Sequence, residues 1–308
     1  MAVRFAMLAS GSSGNACLLE VNGFGLLIDI GLGPRQLAAR LADVGASWAK
    51  IHAVLLTHTH TDHWKDRTLD HLRQRKIPIF CHAEHHRSLL TYSNAFPKLR
   101  DAGLLRSYER NQAWQIHSSL SCRALELSHD STPTFGFRLE GADGLFGSAW
   151  AIGYVADLGC WSPELVEALL DVDLLALEFN HDEELERESG RSEFLIERVL
   201  GDGGHLSNDQ AGRFLHSILT RSQPGVVRHI VQLHLSRECN RPHLAQAAAR
   251  SVLEELRQNV PLYTARHDRA GPMVTLDKSS NGTRRSNRPE PRALVDQGDP
   301  EALLPGMG

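Results

Sequence analysis

The sequence predicts an α/β chain, with many short strands and helices on the outside, on three observations. Short apolar runs bounded by Gly, Ser or Asp alternate with stretches of helical period along almost its whole length. Several of those runs are continuous rather than alternating, as in strands covered on both faces. The composition is that of a globular chain: of 308 residues, 42% are hydrophobic, 23% charged and 6% aromatic, which excludes collagen-like, mucin-like and disordered classes.

Taken in order, strands are expected at Val3–Leu8, Cys17–Val21, Gly25–Ile30, Ala53–Thr57 and Ile77–Cys81. The second half adds Ser121–Ser128, Thr134–Glu140, Ala149–Ala156, Leu174–Phe179 and His229–Leu235. Gly141-Ala142-Asp143-Gly144 supplies the turn of a hairpin. A helix follows Gly33-Pro34, where Leu37, Leu41 and Val44 recur at helical spacing and Pro is tolerated in the first turn. Ser162-Pro163-Glu164 opens another with a cap, a first-turn proline and a first-turn acid. Ser207 and Gln210 form a capping-box pair ahead of Phe214, Leu215 and Ile218. A last long helix is expected from Pro242 to Asn259. The core domain is placed at residues 1–277. Residues 278–308, rich in Ser, Asn, Gly, Pro and Arg, are expected to be a disordered tail, with Arg284, Arg285, Arg288 and Arg292 as a solvated basic cluster.

Charge and cysteine content narrow the class. The formal net charge is -4, so the chain is no polycation for coating DNA or anionic membrane. No run approaches the roughly 20 apolar residues of a membrane helix, and the N-terminal stretch lacks a secretory pattern. Five scattered cysteines (Cys17, Cys81, Cys122, Cys160, Cys239) point to reduced thiols and the cytoplasm rather than to a disulfide framework. The 17 histidines are the unusual number.

Six residues after the fourth apolar run carry the chemistry: His58-Thr59-His60-Thr61-Asp62-His63. Imidazole nitrogens and a carboxylate at this density form a ligand set for zinc or a similar divalent ion. Strand periodicity would carry His58 and His60 to one point, with Asp62 and His63 reaching a second beside it. Three later runs also end in a ligand: Leu125–Ser128 at His129, Ile152–Ala156 at Asp157, and Ile230–Leu233 at His234. Strand ends converge on one sheet edge. His58, His60 and His129 then suit one metal, Asp62, His63 and His234 a second, with Asp157 between them. Each metal keeps a position open for water, as in catalytic rather than structural sites.

The run His58–His63 resembles the HxHxDH motif of the metallo-β-lactamase fold, and His129, Asp157 and His234 fall where that superfamily places its remaining ligands. Further segments are Ser10–Asn15, Leu27–Gly31, Ser128–Asp130, Glu178–Asp182, Gly204–Asn208 and Leu233–Ser236. Together they are similar to the YycJ (WalJ) branch, described as bacterial double-stranded DNA 5′-to-3′ exonucleases. The likeness spans about residues 2 to 277, and Arg237-Glu238-Cys239-Asn240 departs from the more usual Gln-Glu-Asn-Asn. It implies a four-layer αββα sandwich with a dimetal site, holding zinc or manganese, at one edge of the two sheets. It also implies that hydroxide generated between the ions attacks phosphorus.

His205 lies outside the seven ligands, in a Gly-rich loop ahead of the Ser207 cap, and matches the histidine that related phosphodiesterases place beside the leaving alkoxide. Asp62 and His205 are accordingly the candidate catalytic pair. Ser12, Ser13 and Asn15 are candidate donors near the metals, and Asp29 a brace for the metal loop. Asn180 and His181 are substrate-side candidates, although His181 could equally cap the helix at 182–188. The stretch between Asp157 and His234 has no room for the inserted domain of the RNase J and DNA cross-link repair types. Substrate contacts therefore fall to local bases such as Arg67, Arg73, Arg75, Lys76, Arg106, Arg110, Arg237 and Arg241, most of them on solvated helix faces. The expected substrate is nucleic acid, foremost DNA, with no membrane or protein partner. Small cyclic phosphodiesters are the alternative, and a thioester or lactam a weaker one, because His205 would then have no work.

Overall fold

The computed structural model describes residues 2–130, 133–142 and 148–276. The first half supplies β1 (Val3–Ala9), β2 (Ala16–Val21), β3 (Phe24–Ile28), α1 (Pro34–Asp43), β4 (Ile51–Leu55) and α2 (Asp66–Arg75). It continues with β5 (Ile79–His82), α3 (His85–Tyr92), α4 (Phe96–Asp101) and β6 (Leu105–Tyr108). The second half opens with β7 (Ala113–His117), β8 (Leu120–Leu127), β9 (Thr134–Ala142) and β10 (Ser148–Val155). After these come α5 (Pro163–Leu169), β11 (Leu174–Glu178), α6 (Glu183–Arg187), α7 (Glu193–Leu200) and α8 (Asn208–Arg221). The described chain closes with β12 (His229–Leu233), α9 (Pro242–Glu255), β13 (Leu262–Thr264) and β14 (Val274–Leu276). The expected hairpin turn at Asp143-Gly144, the 277/278 boundary and the arginine-bearing tail lie outside the described residues.

The strands form two seven-stranded sheets, ordered β14-β1-β2-β3-β4-β5-β6 and β13-β12-β11-β10-β9-β8-β7. Period-2 alternation sorts their side chains into three apolar layers. Phe5, Leu19, Leu26, Leu55, Phe135, Phe137, Tyr154, Ala176 and Leu233 meet between the sheets. Leu18, Leu27 and Val54 face the other way, toward Leu37 and Leu41 of α1, Leu69 and Leu72 of α2, and Leu99 of α4. Leu175, Leu177 and Ile230 face Leu165 and Leu169 of α5, Phe214 and Leu215 of α8, and Ala249 of α9. The result is helix, sheet, sheet, helix, the αββα sandwich. Side chains such as Phe135, Phe137 and Phe214 are fully buried, each contributing roughly 1.5–3 kcal/mol of hydrophobic stabilisation. No helix among the described residues is long and apolar enough to cross a membrane.

Strand direction positions the site. In the first sheet β1, β2 and β3 alternate and β3 to β6 run parallel, so β1, β3 and β4 end on the same edge. In the second sheet β8, β9 and β10 alternate and β10, β11 and β12 run parallel, so β8, β10, β11 and β12 end together. The loops leaving those carboxyl ends are the ones that carry the motif residues.

Candidate active site

The histidine loop is held from below by Asp29, which follows β3 at φ 61°. Its Oδ1 accepts the Thr57 backbone N–H at 2.9 Å, and its Oδ2 accepts from His63 Nδ1 at 2.7 Å. The Thr57 hydroxyl donates to the same carboxylate and lies 3.0 Å from His58 Nδ1. Both histidines therefore keep their Nε2 atoms facing the opposite way. Asp29 is the brace expected from the sequence. Strand β4 ends at Leu55, so His58 and His60 converge through this loop geometry and not through strand alternation; their ring centroids are 4.8 Å apart.

From the second sheet, His129 follows β8 with Nδ1 2.9 Å from the Gly204 carbonyl. Asp157 and His234 follow β10 and β12 at φ 60° and 52°, a backbone region that non-glycine residues occupy when a site demands it. The structure brings all seven sequence-predicted ligands together. His58, His60 and His129 offer donor atoms within 4.8 Å of one another, as do Asp62, His63 and His234. Asp157 belongs to a third such set with His58 and His63 and to a fourth with His129 and His205, so it reaches both triads.

The donor set fits divalent cations. Nε2 of His58, His129 and His234 and Oδ2 of Asp157 are buried and have no hydrogen-bond partner among the described residues. Buried polar atoms are normally paired, and four orphans aimed at one space are what coordination would satisfy. Burial pushes His58 down, with the positive character of His63 adding to it. Burial also opposes charge on His63 and His234, but Asp29 and Asp157 beside the first, and Asp157, Asp62 and Glu178 beside the second, carry both up.

His205 sits on the rim with its side chain 20% exposed. Its Nδ1 is 2.7 Å from Oε1 of Glu178, so the ring donates there and turns Nε2 away from it. Its ring centroid is 4.9 Å from that of His129 and 5.2 Å from that of His234. Glu178 is fully buried, accepts the Leu158 N–H at 2.7 Å and lies 3.4 Å from His234 Nδ1. Burial works against its charge, yet His205 and His234 outweigh it and draw the carboxyl down to about 2. Sequence reasoning gave Glu178 no role, although it ends an apolar run as the candidate ligands do. The Leu174–Phe179 run was read straight through it. Asp130, noted only within the Ser128–Asp130 segment, likewise has no role from sequence: its Oδ1 lies 3.3 Å from His129 Nε2 and 3.5 Å from His60 Nε2, and Arg198 pairs with it.

The remaining candidates divide. Asn15 is buried and its Nδ2 lies 3.0 Å from Asp62 Oδ2 and 2.9 Å from His63 Nε2, beside the second triad. Ser12 and Ser13 are exposed at the tip of the same loop. Asn180 turns inward and donates to the His234 carbonyl at 2.8 Å, so it fixes the loop rather than facing the rim. His181 is buried, with neither ring nitrogen hydrogen-bonded, and the cap of α6 is Asp182, which accepts from Leu185 N.

A histidine–carboxylate cluster on the sheet edge of an αββα sandwich is the architecture of the metallo-β-lactamase-fold hydrolases. Residues 25–223 match the model of the beta-lactamase superfamily domain, and the chain belongs to that family. It is 25% identical over 277 residues to the exodeoxyribonuclease WalJ of Streptococcus pneumoniae, covering 89% of this chain and 98% of that protein. It is 25% identical over 256 residues to the exodeoxyribonuclease YycJ of Bacillus anthracis, covering 83% and 90%. Among solved structures it resembles the metallo-β-lactamase fold protein YhfI from Bacillus subtilis, with a TM-score of 0.62 at 17% identity over 89% of this chain and 100% of that one.

Proposed function

We propose that the protein is a dimetal phosphodiesterase acting on nucleic acid, namely a DNA exonuclease of 5′-to-3′ polarity working in the cytoplasm. The observation that carries the reading is the pairing of two cation-binding triads, both within reach of Asp157, with a protonatable His205 on their rim. Its similarity to two proteins named exodeoxyribonuclease supports the choice of DNA. In this reading His58, His60 and His129 hold one divalent ion, Asp62, His63 and His234 the other, and Asp157 serves both; zinc and manganese suit these nitrogen and oxygen donors. When bound, such a pair supplies positive charge against phosphoryl oxygens and lowers the pKa of water.

The chain's own residues do the rest. Glu178 keeps a proton on His205 Nδ1 and fixes the ring plane. Nε2 of the protonated ring is then free to give a proton to the departing sugar oxygen, the poor leaving group of the reaction. Asn15 orients Asp62 and His63, and Asn180 holds the His234 loop. The test is a panel of end-labelled single- and double-stranded DNA and RNA, run with zinc- or manganese-loaded protein beside bis-p-nitrophenyl phosphate. Release of mononucleotides from the 5′ end of duplex DNA is expected. Turnover of the small ester without degradation of any nucleic acid would favour the small-molecule phosphodiesterase and refute this reading.

A further inference from the structure

Beside the His234 loop lies a cavity of about 270 Å³ whose walls are the segment after β12, the start of α9 and the segment after β13. Arg237, Arg241 and Arg266 line it, with His267, Asp268 and Leu235. Three guanidinium groups thus face a single carboxylate, and among the described residues none of the three lies within ion-pair distance of an acid. Arg73 and Arg110, two other bases near the surface, are by contrast paired, the first with Asp70 and the second with Glu84 and Glu126. Unpaired arginines gathered around a concavity are a phosphate-binding arrangement, since the planar fork matches phosphate oxygens.

One side of the wall is held by hydrogen bonds within the chain. Arg241 Nη1 donates to the carbonyls of Glu238 and Asn240 at 2.8 and 2.7 Å, which anchors the side chain and leaves its other nitrogens free. Asn240 is saturated by Asn208, Phe179 and Asn180, and the Cys239 carbonyl accepts the Asp182 N–H. Glu238, the acid next to Arg237, is taken by Arg191 at 2.7 Å. The cavity also shares its supports with the metal loop. Leu235 follows His234, the His267 ring packs on Gly11 so closely that a Cβ there would lie 2.2 Å from it, and Ser10 Oγ accepts the His234 N–H.

We infer that this cavity binds a backbone phosphate of the substrate strand next to the scissile one, with Arg237, Arg241 and Arg266 as its ligands. The inference rests on the nucleic-acid reading above. It names residues that set the strand's position, and it makes Arg237, which stands where the related motif usually has Gln, a source of affinity in this chain.

The experiment measures binding of a labelled DNA duplex by fluorescence anisotropy over a series of salt concentrations, and hydrolysis of the same duplex and of bis-p-nitrophenyl phosphate. For the Arg237→Ala/Arg266→Ala variant we expect roughly 10-fold weaker DNA binding and a slope of log K against log salt shallower by about 1. Its loss in kcat/KM should be at least roughly 10-fold larger on DNA than on the small ester, which carries one phosphate. Arg237→Lys/Arg266→Lys should recover the slope, and Arg100→Ala on α4, an exposed arginine paired with Asp101, should bind as the wild type does. A neutral methylphosphonate at the second linkage should weaken wild-type binding but not that of the double alanine variant. If removal of a terminal 5′-phosphate has that effect instead, the cavity holds the strand end and the internal assignment fails. If the wild type degrades DNA while the double variant keeps its affinity and slope, the cavity is no phosphate site. If the wild type hydrolyses only the small ester and binds no strand, the nucleic-acid reading fails and takes this inference with it.

Discussion

Replacing Glu178 by Gln separates the roles assigned to the rim. The carboxylate accepts from His205 Nδ1 and from Leu158 N, both at 2.7 Å, and is fully buried. Gln keeps one acceptor oxygen, so one of these buried donors is left facing an amide N–H. Hydrogen bonds to a charged group are worth about 1.5–3 kcal/mol, and at about 1.36 kcal/mol per decade of rate their loss at His205 predicts a fall in kcat of roughly 10- to 150-fold. The unpaired donor should also cost about 1–3 kcal/mol of stability, a shift of about 2–4 °C in Tm per kcal/mol for a domain of this size. The assay compares DNA with bis-p-nitrophenyl phosphate, whose phenolate departs without a proton. If His205 protonates the leaving oxygen, Glu178→Gln and His205→Gln lose far more on DNA than on the activated ester. The double variant should then fall little below His205→Gln alone. Equal losses on both substrates, or a drop in bound metal that tracks the activity, would refute the reasoning, because Glu178 would then act through His234.

Three other perturbations probe the frame. A Cβ at Gly31 would lie 1.7 Å from the Asp62 carbonyl oxygen and 2.6 Å from Asn15 N, both backbone. Gly31→Ala should therefore displace the metal loop, costing about 1–3 kcal/mol in a denaturant melt and on the order of 10²-fold in activity. Asp29→Asn puts an amide where His63 Nδ1 needs an acceptor; bound metal per chain, read by elemental analysis, should fall while the circular dichroism spectrum holds. His85, away from this loop, offers a pH test. Burial lowers it from 6.5 to about 4, its Nε2 lies 2.9 Å from the Pro133 carbonyl, and its Nδ1 accepts the His82 N–H. The unfolded chain takes up this proton first as pH falls, so stability is lost from about pH 6.5 down to about 4, by roughly 3 kcal/mol at most. The urea midpoint of His85→Gln should accordingly fall less than the wild type's between pH 7 and 4.5.

All ten strands read from the sequence have counterparts, and the four that escaped are β6, β7, β13 and β14, the four sheet edges. The reason is physical: an edge strand has one neighbour and needs no continuous apolar run, and β6 shows it, with Arg106 and Ser107 exposed. The central strands erred in the opposite sense, at their carboxyl ends. The runs continue through Ile30, Leu56, Phe179 and Leu235, all buried although the ladders have stopped, because the floor of the site is itself core. Hydrophobicity therefore could not mark where strand gives way to functional loop, and Glu178, noted only as the start of the Glu178–Asp182 segment, got no role from such a run. The candidate ligands were legible because imidazole and carboxylate at strand ends have few other uses. Asn180 and His181 have the polarity of rim residues, but both are buried, and the fold spends Asn180 on the His234 backbone.

The two sheets are built alike, and that repetition accounts for the site. Each passes from antiparallel to parallel pairing, at β3 in the first and at β10 in the second. The strand at each switch is followed by an aspartate in the left-handed region, Asp29 at φ 61° and Asp157 at φ 60°. Left-handed backbone costs roughly 1–2 kcal/mol for an L-residue, least for the short polar ones. The two aspartates meet on one ring, Asp29 2.7 Å from His63 Nδ1 and Asp157 3.1 Å from its Nε2. His63 is thus gripped from both nitrogens by equivalent positions of the two halves. A cation would compete with the imidazole proton only on the Asp157 side, because the Asp29 contact is sealed within the core. A cation held at Nε2 would leave the Asp29 contact intact and take the place of the proton between His63 and Asp157 Oδ2.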